Sequence, residues 1–243
     1  MSKRSLLLCS VFITLIITNP LKAQQDVLSD RPGIGDSPFV YGKNIFGAEA
    51  GAVYLNGGAD SYQLPQLLLR LGVSDKLEIR FNAGSVAFSE NTDAQVQQQS
   101  AGIKYQLVAD GDRFLTFMTM VDLPFLNSNF STWNTRFSLQ GRIQGNTNWG
   151  LDSNIGFGIS DINDIGGGAI SFTLTPSYTF DSPTGAGVYF GYATDFSISN
   201  YDNHYFELGF TLLSAKNLQL DINSAKNLFQ DGFFVGAGIA TAL

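Results

Sequence analysis

The sequence predicts an all-β fold: an antiparallel up-and-down transmembrane β-barrel of about 12 strands. Three observations carry that prediction. Beyond the N-terminal segment no run of 18 apolar residues occurs, so no helix of bilayer length is available. The chain is nonetheless 44% apolar and 13% aromatic, with only 14% charged residues. Between clusters of turn residues, about twelve segments alternate apolar and polar side chains with a period of two.

The N-terminus reads as an export signal covering residues 1–23. Lys3 and Arg4 precede an apolar run from Leu6 to Ile17, and Leu21-Lys22-Ala23 places a small residue just before a cleavage at Gln24. Cys9, the one cysteine, falls inside this segment, so the mature chain has neither disulfides nor thiolate metal ligands. Removing residues 1–23 leaves 11 of the 14 basic residues and all 21 acidic ones, a formal net charge of −10. Such an acidic chain lacks the basic surface that nucleic acid requires.

Residues 24–42, with the turn sequence Asp30-Arg31-Pro32-Gly33, read as an irregular lead-in on the periplasmic side; whether they enter the barrel is open at this point. Residues 43–243 read as the barrel, with strands over 44–55, 61–73, 77–88, 95–108, 113–124, 132–144, 148–160, 168–180, 185–197, 203–213, 218–224 and 232–243. Alternation is sharpest in Leu77-Glu78-Ile79-Arg80-Phe81-Asn82, in 133–144, and in Leu218-Gln219-Leu220-Asp221-Ile222-Asn223.

A soluble sandwich would bury the apolar face, whereas a membrane barrel turns it to lipid. The segments run to about 11–13 residues, longer than soluble strands and suited to a tilted span. Their polar face holds Gln, Asn, Ser, Thr and Gly rather than the Lys and Glu of a solvated surface. Connections alternate as well. Ser74-Asp75-Lys76, Ala109-Asp110-Gly111-Asp112 and Gly145-Asn146-Thr147 are tight, whereas 89–94, 125–131, 161–167 and 225–231 run longer. Aromatic residues gather near strand ends, with Tyr54, Phe88, Trp133 and Phe196 at one rim and Tyr105, Trp149 and Phe180 at the other, as in an interfacial belt. The closing strand alternates Phe233, Val235, Ala237 and Ile239 against Phe234, Gly236, Gly238 and Ala240; its last residue is Leu243, where such barrels often carry an aromatic one.

Several short motifs resemble one family. Asp30-Arg31-Pro32-Gly33, Asp36-Ser37-Pro38-Phe39-Val40 and Gly42-Lys43 leading into Phe46–Gly51 resemble the opening of the outer-membrane transporter family named for the MetA pathway of phenol degradation. Ala101-Gly102-Ile103-Lys104-Tyr105 resembles its mid-chain strand, and Asn217–Asn223 followed by Phe233-Phe234-Val235-Gly236-Ala237-Gly238 its closing hairpin. The resemblance implies an outer-membrane transport barrel of about twelve strands. The family name points to aromatic solutes, but no motif here encodes that substrate.

Chemistry-bearing residues are few. His204, the only histidine, shares the apolar parity of Phe206, Leu208 and Phe210 and has no Ser partner two residues away, so no nucleophilic relay forms locally. With one His and no mature Cys, no metal cluster is predicted. Asp161-Ile162-Asn163-Asp164 with Gly166-Gly167-Gly168 lacks calcium-loop spacing and its closing Glu, and reads as an extracellular loop. No catalytic residue and no cofactor are expected.

The candidate lumen-lining charges are Arg70, Arg80, Lys104, Arg136 and Arg142, opposed by Glu49, Glu78, Asp122, Asp152, Asp195, Glu207 and Asp221. By height and strand adjacency, Asp122 pairs with Arg136, Arg142 with Asp152, and Glu78 with Arg70 or Arg80. That leaves Asp195, Glu207 and Asp221 as an unpaired acidic arc facing a more basic wall, which would give a weak cation preference. Charges that merely fill a closed barrel and charges that line an open pore remain alternatives at about this strand number. The expected function is a passive pore or transporter for small solutes in the bacterial outer membrane. A closed structural or adhesive barrel and a soluble exported β protein are the alternatives. The expected partners are outer-membrane lipid, a small solute and the barrel-assembly machinery.

Overall fold

The computed structural model describes residues 27–31, 33–57, 60–89, 92–97, 99–124, 133–144, 148–160, 167–181, 185–197 and 203–243. The signal segment and the 161–166 loop sequence lie outside the described residues.

Thirteen strands form one sheet: β1 (Phe46–Asn56), β2 (Asp60–Ser74), β3 (Leu77–Ser89), β4 (Thr92–Val96), β5 (Ser100–Asp110), β6 (Arg113–Asp122), β7 (Thr135–Gln144), β8 (Trp149–Ser160), β9 (Gly167–Thr179), β10 (Gly187–Ser197), β11 (Asn203–Ala215), β12 (Leu218–Asn227) and β13 (Phe233–Ala242). Each pairs antiparallel with its sequence neighbour, except that β4 and β5 both pair with β3 and not with each other. β13 also pairs with β1, from Gly47↔Ala242 to Asn56↔Phe233, and closes the sheet on itself. Beyond the last strand residue, Leu243 and Phe46 exchange both backbone hydrogen bonds, at 2.8 and 3.0 Å, so no edge is left open at the seam. β4 and β5 are two pieces of one wall strand, and the barrel is therefore twelve-stranded.

That split departs from the single strand expected over 95–108. Its cause lies on β3. Gly84 sits at φ 76°, a conformation that favours glycine, with its amide donating to Asn82 Oδ1 at 2.9 Å. The resulting bulge separates the β3–β5 ladder, which ends at Asn82↔Ser100, from the β3–β4 ladder beginning at Val86↔Val96. β12 also runs three residues past the expected boundary, to Asn227. Ser224 and Lys226 conceal this in the sequence: they are polar residues on the outward parity that Leu218, Leu220 and Ile222 begin, and Lys226 lies near the rim, level with Phe206 and Phe233.

The two faces are inverted relative to a soluble protein. Ile143, Ile155, Leu208 and Ile222 are 52–63% exposed on the outside, while Glu49, Arg70, Glu78, Lys104 and Glu207 are at most 1% exposed within. Water would not tolerate that exterior; hydrocarbon would. No helix among the described residues is long and apolar enough to cross a membrane, and the strands do the crossing. Outward rings cluster at both rims. Tyr54 meets Tyr62 and Phe233 at 5.1 and 5.9 Å near the long connections, and Trp149 meets Tyr178 at 4.9 Å near the short turns.

A labelling experiment reads this inversion. Single cysteines at Phe81, Leu139 or Leu220 should react with lipid-soluble reagents, and one at Asn82, which lines an inner cavity, with aqueous ones. Cysteines at Gln140 and Asn223 should react slowly with both, since these inward positions are only 0% and 7% exposed. Equal aqueous labelling at Phe81 and Asn82 would rule out the lipid-facing assignment.

Candidate functional site: a lumen threaded by residues 27–42

Residues 27–31 and 33–42 occupy the interior. The Val27 amide donates to Lys216 O (3.1 Å) at the short-turn end, and Lys43 leaves at the same end beside Asp75. Between these points the chain dips to about mid-height, where Ile34 N reaches Glu207 on β11 at 2.9 Å and Asp36 O accepts from Asn154 Nδ2 on β8 at 2.9 Å.

The dipeptide Asp30-Arg31 organises this segment. Asp30 faces the β2–β3–β5 wall, where Lys104 Nζ donates to both its oxygens at 2.9 and 3.2 Å, Arg80 forms a close ion pair, and Arg70 lies at 3.8 Å. Ser37 closes the turn by donating its amide and hydroxyl to Asp30 Oδ1 at 3.0 and 2.6 Å. Arg31 points the other way. Its guanidinium donates to Gln66 Oε1 (3.1 Å) and Ala237 O (3.3 Å) and pairs with Asp221 on β12 at 3.5 Å. Gly51 on β1 and Gly238 on β13 are register partners, and a Cβ on either would run into that guanidinium. Two adjacent glycines thus form the floor on which Arg31 lies.

Glu49 and Arg70 tie the segment's base to the wall. Glu49 accepts from Ser29 Oγ, Asp30 N and Arg31 N at 3.0–3.1 Å, and from Arg70 at 2.8 Å. Arg70 also binds Glu78 through Nε and Nη2 at 2.8 and 3.0 Å, and donates to Leu28 O and Phe39 O. Glu78 in turn accepts the Tyr41 amide at 2.9 Å, and the Arg70 guanidinium lies 4.5 Å from the Tyr41 ring centroid. Burial pushes the Tyr41 phenol up to about 12, despite the opposing charge of Arg70, so it stays neutral.

Burial alone would raise the Asp30 carboxyl. The cations Arg70, Arg80 and Lys104 outweigh it and hold Asp30 well below the usual carboxylate range. A depressed folded pKa contributes stability in full above the unfolded value, about 4, and loses it only as pH falls towards the folded one. Protection of residues 27–42 from aqueous cysteine reagents should therefore be unchanged between pH 7 and 5. Loss of protection near pH 6 would show that Asp30 is not the anchor.

Of the remaining sequence candidates, Arg142 and Asp152 pair at 2.7 Å across β7 and β8. Asp122 and Arg136 both line the larger cavity but do not pair; Asp122 accepts instead from Asn134 Nδ2 at 2.8 Å. Asp195 lies near the opposite rim and accepts from Asn203 N at 3.2 Å. The unpaired acidic arc is corrected at Asp221; Glu207 gains hydrogen-bond donors but no cationic partner among the described residues. Asp221 is paired with Arg31, and Glu207 accepts from Ile34 N and Thr175 Oγ1. Arg31 and Ile34 belong to the lead-in segment, which strand-by-strand pairing along the wall omits. The segment's role was thus missed in the sequence, although a signal for it existed. Arg70, Arg80 and Lys104 outnumber Glu49 and Glu78 on neighbouring strands, so one carboxylate had to come from elsewhere.

His204 lies on the outer face, bonded to Tyr192 OH at 2.5 Å and edge-on to Phe229 at 4.8 Å, away from the lumen. No group of His, Cys, Asp and Glu among the described residues could hold a metal ion.

Two cavities flank the segment, and both are lined by Asp30, Arg31, Gly33 and Asp36. The larger, about 750 Å³, extends towards the long connections past Arg80, Asn82, Met118, Met120 and Arg136. The smaller, about 230 Å³, lies against β8–β11 and the short-turn side.

Solved barrels share this architecture. The outer-membrane channel from Pseudomonas putida F1 aligns over 88% of this chain and 100% of its own, with 11% identity and a TM-score of 0.61. The NanC porin aligns over 80% and 98%, with 7% identity and a TM-score of 0.61. The KdgM porin aligns over 79% and 98%, with 10% identity and a TM-score of 0.53. At these identities the likeness is one of fold. No family model and no curated protein matches the sequence.

Proposed function

We propose that this chain is a passive channel for small solutes in the bacterial outer membrane, with residues 27–42 setting the width of its lumen. The observation that carries this reading is the polar interior: two cavities of about 750 and 230 Å³ meet at the Asp30–Asp36 stretch of the inner segment. The short turns face the periplasm and the long connections the outside. The exterior band seats the barrel in lipid, and assembly follows the route of other outer-membrane barrels. The channel carries out no chemistry on its solute. Membership of the MetA-pathway transporter family is part of the proposal. In its support, the Asp-Arg-Pro-Gly motif supplies Asp30 and Arg31, the two side chains that span the lumen between oppositely charged walls.

A barrel closed by the inner segment is the second reading, favoured by the number of buried anchors on that segment. Planar bilayers separate the two. Full-length protein should give small, reproducible conductance steps that persist at both polarities. Silence across the voltage range, from protein whose band shifts on boiling, would replace the channel by the closed barrel.

A further inference from the structure

The smaller cavity differs chemically from the larger one. Its wall is a two-column polar ladder on β8 and β9, where Asp152 sits beside Thr175, Asn154 beside Thr173, and Gly150 beside Ser177. The charges here are already engaged. Asp152 Oδ2 binds Arg142 at 2.7 Å, and Glu207 takes donors from Ile34 and Thr175. What remains is hydrogen-bonding capacity. Asp152 Oδ1, Asn154 Oδ1, Arg142 Nε, Arg31 Nε and the Tyr189 hydroxyl are buried and have no hydrogen-bond partner among the described residues. Buried polar atoms of this kind call for an explanation. One side of the cavity is apolar: the Phe39 ring, held edge-on by Phe114 at 4.9 Å and covered by Arg142 at 5.6 Å.

This set of groups selects among ligand classes. It contains two bare acceptors, two bare donors, and hydroxyls, that of Tyr189 among them, that do both. An anion satisfies only the donors, and a cation only the acceptors. A hydroxyl group satisfies either, so a molecule carrying several hydroxyls matches a wall of mixed donors and acceptors. C–H groups of the same molecule can lie on the ring of Phe39. At about 230 Å³ the space is below the range that drug-sized ligands fill, roughly 300–1,000 Å³. We infer that this cavity is a binding subsite for a small neutral polyhydroxylated solute, a single sugar ring or a short polyol, on the periplasmic side of the inner segment. The inference rests on the channel reading and names the class of solute that the channel passes.

The test uses full-length protein in detergent, with D-glucose as probe and cyclohexanol as a ring of similar size without the hydroxyl array. Saturation-transfer NMR should show saturable transfer to glucose and little to cyclohexanol. Asn154→Leu and Thr173→Val, each checked for the boiling-dependent band shift, should weaken glucose binding by about tenfold, the scale of one or two lost hydrogen bonds. Ile155→Ala, a lipid-facing change on the same strand, should leave it unchanged. Absence of saturable glucose transfer, or equal binding by folded Asn154→Leu, overturns the inference. Equal transfer to cyclohexanol also overturns it and makes the cavity an apolar pocket. Bilayer conductance is recorded on the same preparations. Conductance without glucose binding rejects the subsite and keeps the channel; glucose binding without conductance rejects the channel and keeps the pocket.

Discussion

Asp30→Asn should free residues 27–42 from the cationic wall and raise conductance severalfold. The substitution preserves shape and removes only the charge that Lys104, Arg80 and Arg70 share. Lys104 is then left fully buried without a counter-ion, its remaining acceptors the Ser37 carbonyl at 2.6 Å and the neutral amide oxygen at position 30, while Arg80 retains Asp36 at 3.4 Å. Breaking a buried pair from one side costs about 3–5 kcal/mol, because the remaining charge is stranded. Withdrawal of the segment lets water reach Lys104, so that cost is relieved by opening the lumen rather than by unfolding the wall. Three readouts should move together: single-channel conductance, aqueous reactivity of a cysteine at Ser37, and cleavage before Asp36 by a protease that cuts on the N-terminal side of aspartate. Lys104→Met in the Asp30→Asn background should restore part of the protection, since it removes the stranded charge. A variant that matches the parent in all three readouts would show that the anchors at Glu49 and Glu207 suffice without Asp30.

Arg70→Met should be the most damaging single change in the barrel. Arg70 is fully buried, and its guanidinium bridges Glu49 on β1 and Glu78 on β3 while donating to two carbonyls of the inner segment. Its loss strands two carboxylates where water is scarce, and the scale is again about 3–5 kcal/mol for a one-sided break. Unlike Asp30, Arg70 belongs to the wall, so withdrawing the segment does not rehydrate both carboxylates. The expected result is a sharp fall in refolding yield in detergent and a lower urea midpoint for the folded band. The triple variant Arg70→Met, Glu49→Gln, Glu78→Gln should recover much of the loss. A parent-like midpoint for Arg70→Met alone would mean that the cluster is hydrated and contributes little.

Much of the barrel was legible from period alone. Leu77-Glu78-Ile79-Arg80-Phe81-Asn82 assigns its own faces, because a strand turns every second side chain to the same side. What parity could not show was local departure from a flat ladder. The bulge at Gly84 and the two-piece strand β4–β5 depend on one backbone conformation, and a lone glycine within an alternating run does not declare it. The outward Lys226 shortened β12 in the same way, since a charge at the rim reads as a loop.

For the lumen, the residues themselves determined which side chains share a face, which neighbours are close enough to pair, and that the wall formed by β1, β2, β3 and β5 holds one cation too many. Arg142 with Asp152 follows from adjacency alone. The partners of Lys104, Glu207 and Asp221 do not. They lie 74, 173 and 190 residues away along the chain, at Asp30, Ile34 and Arg31. Neither period nor turn chemistry places an irregular segment inside a closed sheet. Only the tertiary structure decided this, because closure creates a buried polar interior whose unmatched charges must find partners, and the Asp30-Arg31 pair presents opposite signs to two different stretches of the wall at once.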